Sequence, residues 1–283
     1  MFTLSGFGDE ISADLDEQLA ALKSMGINYL ELRGAWGKNV LDFDEAELKR
    51  TKQALDEQGM AISSIGSPIG KVAIEAPFRP HLEDFRTILR LAEFLGSPYV
   101  RIFSFYVAQD GHEQCRTEVL RRMVELVRAA EGAPLTLLHE NEKDIYGDTP
   151  ERCADILRTV ESPRLQAVFD PANYVQVGVA HPYDRAWPLL GDYVAYVHVK
   201  DALLPSGEVV PAGEGDGQVR QVLQALKNRG GDYFLSLEPH LVFAGSTVGF
   251  TGKELFQRAA DALRGLIDTL APLPSLLPLT PLG

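Results

Sequence analysis

Apolar residues along this chain follow two alternating rhythms: short continuous runs, and longer stretches in which they recur every three or four positions. The short runs predict strands over residues 3–8, 29–33, 61–67, 99–105, 135–140, 165–170, 194–200 and 234–238. The longer stretches predict helices over 15–25, 45–58, 82–95, 113–130, 150–160, 183–190, 218–228 and 252–270. In the first of these Leu15, Leu19 and Leu22 form one stripe, with Asp16, Glu17 and Lys23 off it. Gly26, Gly59 and Gly96 each follow a helical stretch, where a left-handed cap is wanted. Runs such as VRIFSF and LTLL are too continuously apolar for a sheet with one wet face, and suit parallel strands covered by helices.

Eight strand–helix alternations without a change of composition predict an α/β fold, a single (β/α)8 TIM barrel over residues 1–270. The runner-up, an open doubly wound sheet, usually carries a GxGxxG turn after its first strand, and here that strand is followed by GDEISAD. Residues 271–283, APLPSLLPLTPLG, form an uncharged Pro- and Leu-rich tail outside the barrel. Packing across the barrel, packing on a neighbour and lack of order are all open for it.

Charge narrows the partners. The net charge of −13 argues against a nucleic-acid surface, which needs clustered Lys and Arg. No apolar stretch approaches the roughly 18 residues of a membrane span, and the start, MFTLSGFGDEIS, lacks the form of a signal peptide. Cys115 and Cys153 both fall in helical patterns without a CxxC, which fits reduced thiols and a cytoplasmic location.

In a barrel of this kind the active site gathers where strands end and the following loops begin. The fifth strand ends in HEN, giving His139, Glu140 and Asn141, and the sixth in FDPAN, giving Asp170 and Asn173. The seventh runs YVHVKD, giving His198, Lys200 and Asp201, and the eighth ends in LEPH, giving Glu238 and His240. Four successive strands thus deliver Glu140, Asp170, His198 and Glu238 to one rim. Three crowded carboxylates would raise one another's pKa unless a cation neutralised them. An oxygen-rich set with one nitrogen suits a divalent metal, Mn²⁺ first, with Mg²⁺, Co²⁺ and Zn²⁺ compatible. Loop caps and helix N-caps are the structural alternative for any one of the four.

At these residues the chain resembles the xylose-isomerase-like TIM-barrel superfamily, in its sugar phosphate isomerase/epimerase branch. The motifs are HENEKDIYGD, FDPANY, VHVKD followed by PAGEGDG, and LSLEPH, and the resemblance runs from FGDEIS to about residue 265. That branch includes ketose 3-epimerases, hydroxypyruvate isomerase, and inosose isomerases and dehydratases, with endonuclease IV more distant. The resemblance implies that Glu140, Asp170, His198 and Glu238 bind the metal, and that Glu140 and Glu238 act as acid and base on opposite faces of a sugar. Where the epimerases commonly have a histidine three residues after the aspartate, this chain has Asn173. The extra histidines of a three-metal phosphodiesterase are replaced by Ser67, Arg101 or Ser104, and Asn173, which argues against that activity.

The expected chemistry is proton transfer beside a carbonyl through an enediolate, on a small sugar or keto-polyol. Return of the proton to the same carbon is epimerisation, to its neighbour isomerisation, and loss of a β-hydroxyl is dehydration. Two rivals stand beside an isomerase or epimerase: an inosose-type dehydratase using the same site, and a non-catalytic metal-dependent sugar binder. A homodimer is compatible with either. Substrate contacts are expected from Arg101, Lys71, Asn173, Lys200 and Trp36, against the alternatives of ion pairing or core packing. Glu31 and Arg33 share a strand face and are read as an internal ion pair, and His139, on the face opposite Glu140, as structural. The segment GEVVPAGEGDG could cradle phosphate with its N–H groups, but Glu208, Glu214 and Asp216 would repel one, which favours an uncharged polyol.

Overall fold

A computed structural model of the chain describes residues 1–241 and 251–272. Eight parallel strands close into a barrel: β1 (Phe2–Phe7), β2 (Tyr29–Leu32), β3 (Ala61–Ile65), β4 (Tyr99–Ile102), β5 (Thr136–Glu140), β6 (Leu165–Phe169), β7 (Val194–Val199) and β8 (Tyr233–Leu237). Each strand pairs with its neighbours in chain order, and β1 closes the ring on β8 with Ser5 opposite Ser236. The helices are α1 (Leu15–Ser24), α2 (Glu45–Gln58), α3 (Phe78–Leu95), α4 (His112–Ala129), α5 (Pro150–Val160), α6 (Pro171–Gln176), α7 (Pro182–Leu190), α8 (Val219–Arg229) and α9 (Lys253–Asp268).

Local chemistry sets many of the boundaries. Asp14 caps α1 by accepting from Asp16 and Glu17 N–H, and Asp44 forms a capping box with Glu47 at α2. Gly59 and Gly96 end α2 and α3 in the left-handed conformation expected of them. Helix α3 begins at Phe78, four positions before the apolar periodicity suggests, because its first turn packs Phe78 on the loop residue Phe105. Helix α6 is an element the periodicity does not show. It is too short for a stripe and is made by Asp170 as cap and Pro171 in its first turn.

The barrel interior is layered, because alternate residues of a strand face the same way. At the N-terminal end of the strands the rings of Tyr29, Tyr99, Tyr196 and Phe234 meet edge-on or tilted and plug the bore. Above them lies a small polar layer in which Ser63 Oγ is 2.5 Å from Ser5 Oγ and 2.9 Å from the Tyr196 hydroxyl. Beyond this layer come the charged side chains of the C-terminal rim, among them Arg101 on β4, Glu140 on β5, His198 on β7 and Glu238 just after β8. Outside the ring, Leu19, Leu22, Phe85, Ile88, Met123, Leu126, Leu157, Leu223 and Phe256 belong to the fully buried layer between barrel and helices.

Gly70 folds the loop after β3 inward, with φ of 91°, and a Cβ there would lie 2.1 Å from the Phe103 carbonyl oxygen. Its N–H donates to His81 Nε2 on α3 at 2.8 Å, which ties loop to helix. No helix among the described residues is long and apolar enough to cross a membrane. The tail from residue 273 onward lies outside the described residues.

Candidate metal centre

Glu140 is the last residue of β5, His198 lies near the end of β7, and Asp170 and Glu238 directly follow β6 and β8. All four are at least 96% buried, and one ligand atom from each lies within 4.8 Å of the others. The four side chains of the sequence motif therefore converge on one cation-sized spot.

Each is held in place by neighbours with readable roles. Asp170 Oδ1 accepts the Asn173 N–H at 2.9 Å, which commits that oxygen to capping α6 and turns Oδ2 to the cluster. The Asn141 side chain spans the β5 and β6 exits, donating to the Asp170 carbonyl at 2.9 Å and accepting the Asp170 N–H at 3.0 Å. It extends the ladder where the strands have ended. Asn173 Nδ2 donates to Glu140 Oε1 at 3.2 Å and to the Asn141 carbonyl at 2.8 Å.

His198 Nε2 faces Glu31 Oε1 at 3.2 Å. That carboxylate fixes the ring and leaves Nδ1 facing Glu140 Oε1 at 3.0 Å and Glu238 Oε2 at 3.7 Å. A carboxylate behind a histidine is the usual way to orient and enrich a metal-binding imidazole. Glu31 also accepts from the Tyr196 hydroxyl at 2.9 Å. The expected Glu31–Arg33 pair thus gives way to two separate partnerships. The reason is depth: Glu31 lies two residues earlier on the same face, where the Tyr196 hydroxyl and the His198 ring reach it, whereas Arg33 reaches the rim. There Arg33 donates to Asp9 at 2.7 Å, Glu10 at 2.9 Å and Glu238 Oε1 at 2.8 Å. His240 Nε2 joins this group, 3.0 Å from Glu10 Oε1 and 3.4 Å from Glu238 Oε1.

Of the other sequence candidates, three reach the cluster. Arg101 Nη1 donates to Glu140 Oε2 at 3.1 Å and Nη2 to the Ser67 carbonyl. Lys200 Nζ lies 3.0 Å from Asp170 Oδ2 and 3.1 Å from Glu238 Oε2. Asn173 is the third. Lys71 instead pairs with Glu142 at 3.1 Å and sits over the Phe103 ring, and Trp36 packs on Phe43 under the Arg50 guanidinium. Among the described residues neither bonds to any of the four. His139 is buried on the opposite face of β5 beside Gly147, and burial pulls its pKa down to about 4.

Burial opposes every charge in the cluster, and the neighbours decide which groups keep theirs. His198 and Arg101 outweigh burial at Glu140 and hold its carboxyl below the ordinary range. At Asp170 burial prevails, reinforced by the Glu140 and Glu238 charges and only partly offset by Lys200, so its carboxyl is pushed up. Burial would strip His198 of its proton, but Glu140 and Glu31 hold the imidazolium up to about 10. Lys200, His240 and His198 likewise outweigh burial at Glu238 and hold its carboxyl down, so Asp170 is the one of the three carboxyls pushed up. His198 Nδ1 and Asp170 Oδ2 are buried without an aligned hydrogen-bond partner, although charged groups lie 3.0 Å away. Three carboxylates and an imidazole with inward atoms unsaturated fit a divalent cation.

The glycine-rich segment after β7 is organised by Asp201. Its Oδ1 accepts from Gly217 N–H at 2.8 Å and its own neighbour Ala202 at 2.9 Å, and its Oδ2 accepts from Gly213 at 2.9 Å and Gly215 at 3.2 Å. A Cβ on Gly215 or Gly217 would sit within 2.7 Å of that carboxylate. The N–H groups that suggest a phosphate cradle are taken by the chain's own anion.

Sequence reasoning did not single out Asp9 or Glu10, and gave no role to Asn141 or Asp201 although it placed both at strand ends. GDE directly after the first strand was the available signal for the first two.

Compared by sequence with curated proteins, the chain matches none. Among solved structures it is similar to the IolI protein with a bound zinc atom, at a TM-score of 0.77 and 17% identity, covering 96% of this chain and 100% of that one. It is also similar to a D-tagatose 3-epimerase-like protein, at 0.75 and 18%, covering 94% and 97%. A third is the probable 3-DHS dehydratase AsbF of Bacillus anthracis, at 0.72 and 18%, covering 93% and 98%. At such identities the likeness is one of fold. The family model for the xylose isomerase-like TIM barrel matches residues 19–266, and the chain, with its closed barrel, belongs to that family.

Proposed function

We propose that this chain is a divalent-metal-dependent isomerase or epimerase that moves a proton beside the carbonyl of a sugar or keto-polyol. One observation carries the reading: Glu140 and Glu238, from strands three places apart in the ring, bring carboxylate oxygens to the same buried spot as Asp170 and His198. Mn²⁺ suits this donor set best, and a bound cation supplies Lewis acidity that makes a proton next to a carbonyl removable.

The chain's own residues supply the rest. Glu140 and Glu238 approach the centre from separate arcs of the rim, so one takes the proton and the other returns it from across the substrate. Each has one oxygen held by a guanidinium, Glu140 Oε2 by Arg101 and Glu238 Oε1 by Arg33, which fixes the carboxylate plane for transfer. Asn173, Arg101 and Lys200 are donors placed to bind substrate oxygens. The aromatic plug and the buried walls below the rim keep bulk water from the bore.

The test is proton NMR in D₂O with Mn²⁺-loaded protein and a panel of ketoses, aldoses and inososes. Solvent deuterium should enter one carbon without loss of oxygen. Glu140→Gln and Glu238→Gln should each lower turnover by about 10² or more, the usual worth of a positioned acid or base. Sugar binding without deuterium entry for every compound would reduce the chain to a binder. Dehydration is the second reading, favoured by the Lys200 ammonium, a donor beside the cluster able to protonate a departing hydroxyl. A deoxy product would select it.

A further inference from the structure

We infer that Lys200 is an internal counter-ion which holds the metal-free cluster together, and which a divalent cation must displace from the carboxylates in order to bind. The inference rests on the metal reading above and adds a partner exchange to it. Lys200 is 3% exposed, and its Nζ bridges Asp170 Oδ2 at 3.0 Å and Glu238 Oε2 at 3.1 Å.

These are the oxygens a cation would need. Asp170 Oδ1 is already spent on the α6 N-terminus, which leaves Oδ2. Glu238 Oε1 is engaged by Arg33, and Oε2 is the oxygen facing His198 Nδ1, at 3.7 Å. A divalent cation seated on Asp170 Oδ2 and Glu238 Oε2 would lie within a few ångströms of the ammonium, with little water between to screen them. Both cannot use the same two lone-pair directions in a buried site.

The lysine stem is long and unbranched, so its ammonium can swing off the carboxylates without moving the backbone. His198, Lys200 and their strand mates face the bore, so the freed ammonium turns toward the space a substrate would fill. Metal loading and the arming of Lys200 for a substrate oxygen are then one event. Arg101 and Arg33 sit on the outer oxygens of Glu140 and Glu238 and need not move.

The experiment compares wild type with Lys200→Met and Lys200→Arg, by Mn²⁺ titration calorimetry at one pH and by melting of the metal-free proteins. Lys200→Met should bind Mn²⁺ at least tenfold more tightly, having no ammonium to evict, and should melt lower when metal-free. Lys200→Arg keeps the charge and should bind no more tightly than wild type. Equal or weaker Mn²⁺ binding by a folded Lys200→Met overturns the exchange. If Lys200→Met does not fold, amine acylation of wild type read by mass spectrometry decides: Lys200 should label faster with Mn²⁺ than without, and equal labelling overturns the idea. Wild type that binds no Mn²⁺ would instead sink the metal reading, a result separable from either outcome for the lysine.

Discussion

At the scale of single residues, the four clustered side chains are positioned by buried neighbours that do not themselves join the cluster. Glu31 shows the point. It is fully buried, and it fixes the ring of His198 and accepts from the Tyr196 hydroxyl. Glu31→Ala should weaken Mn²⁺ affinity roughly 10- to 100-fold, as loss of a carboxylate behind a metal-binding histidine commonly does. It should also destabilise the metal-free fold by about 1–3 kcal/mol, because the buried Tyr196 hydroxyl and His198 ring each lose a carboxylate partner. Calorimetry and urea melts separate the two effects, and unchanged metal affinity would show that His198 needs no such support. The four clustered residues were legible in the sequence because each ends an apolar run, and barrels place such ends on one rim. Glu31 was legible as an inward residue of β2 but not as the partner of His198, since pairing across the bore depends on how the layers stack. Arg33 lies two residues on and one layer higher, which is why a pair that strand parity allows does not form.

Among the elements, the loops of the C-terminal rim carry as much specification as the strands. The loop after β3 is locked by Gly70 and His81, the N–H of the first meeting Nε2 of the second. That nitrogen must be unprotonated to accept. Burial lowers the His81 pKa in the folded protein, with Arg122 adding and Asp84 opposing. The unfolded chain therefore takes up the proton first, and stability present above about pH 6.5 is lost as pH falls below it. His81→Gln should flatten that part of the stability–pH curve, measured by urea melts between about pH 7 and 5. A curve unchanged in slope would place the acid sensitivity elsewhere. Sequence periodicity located the eight helices that have a stripe to show, and missed α6, whose six residues are set by a cap and a proline rather than by apolar spacing. The glycines of PAGEGDG advertised N–H groups without saying what they hold. Only the return of the chain past Asp201 answers that.

Across the whole molecule, the closed ring explains why residues from 9 to 240 in the sequence can act at one place. Strand ends that share a rim need no long connection to meet. It also means that the proposed metal site and the fold would be linked. A cation that binds only where β5, β6, β7 and β8 are assembled stabilises the assembled state by mass action, by about 2.7 kcal/mol at a hundredfold excess over Kd. Saturating Mn²⁺ should therefore raise the melting temperature by roughly 5 °C over protein treated with chelator, as calorimetry can record. Equal melting temperatures would mean that the four side chains hold no cation of consequence.

The Asp201 carboxylate in its ring of glycine N–H groups has a bearing on what enters the site. A phosphate arriving from solution would have to outbid an anion fastened to the same strand, present at an effective concentration few free metabolites reach. Those N–H groups of the rim after β7 receive a phosphate only if the Asp201 carboxylate first lets them go.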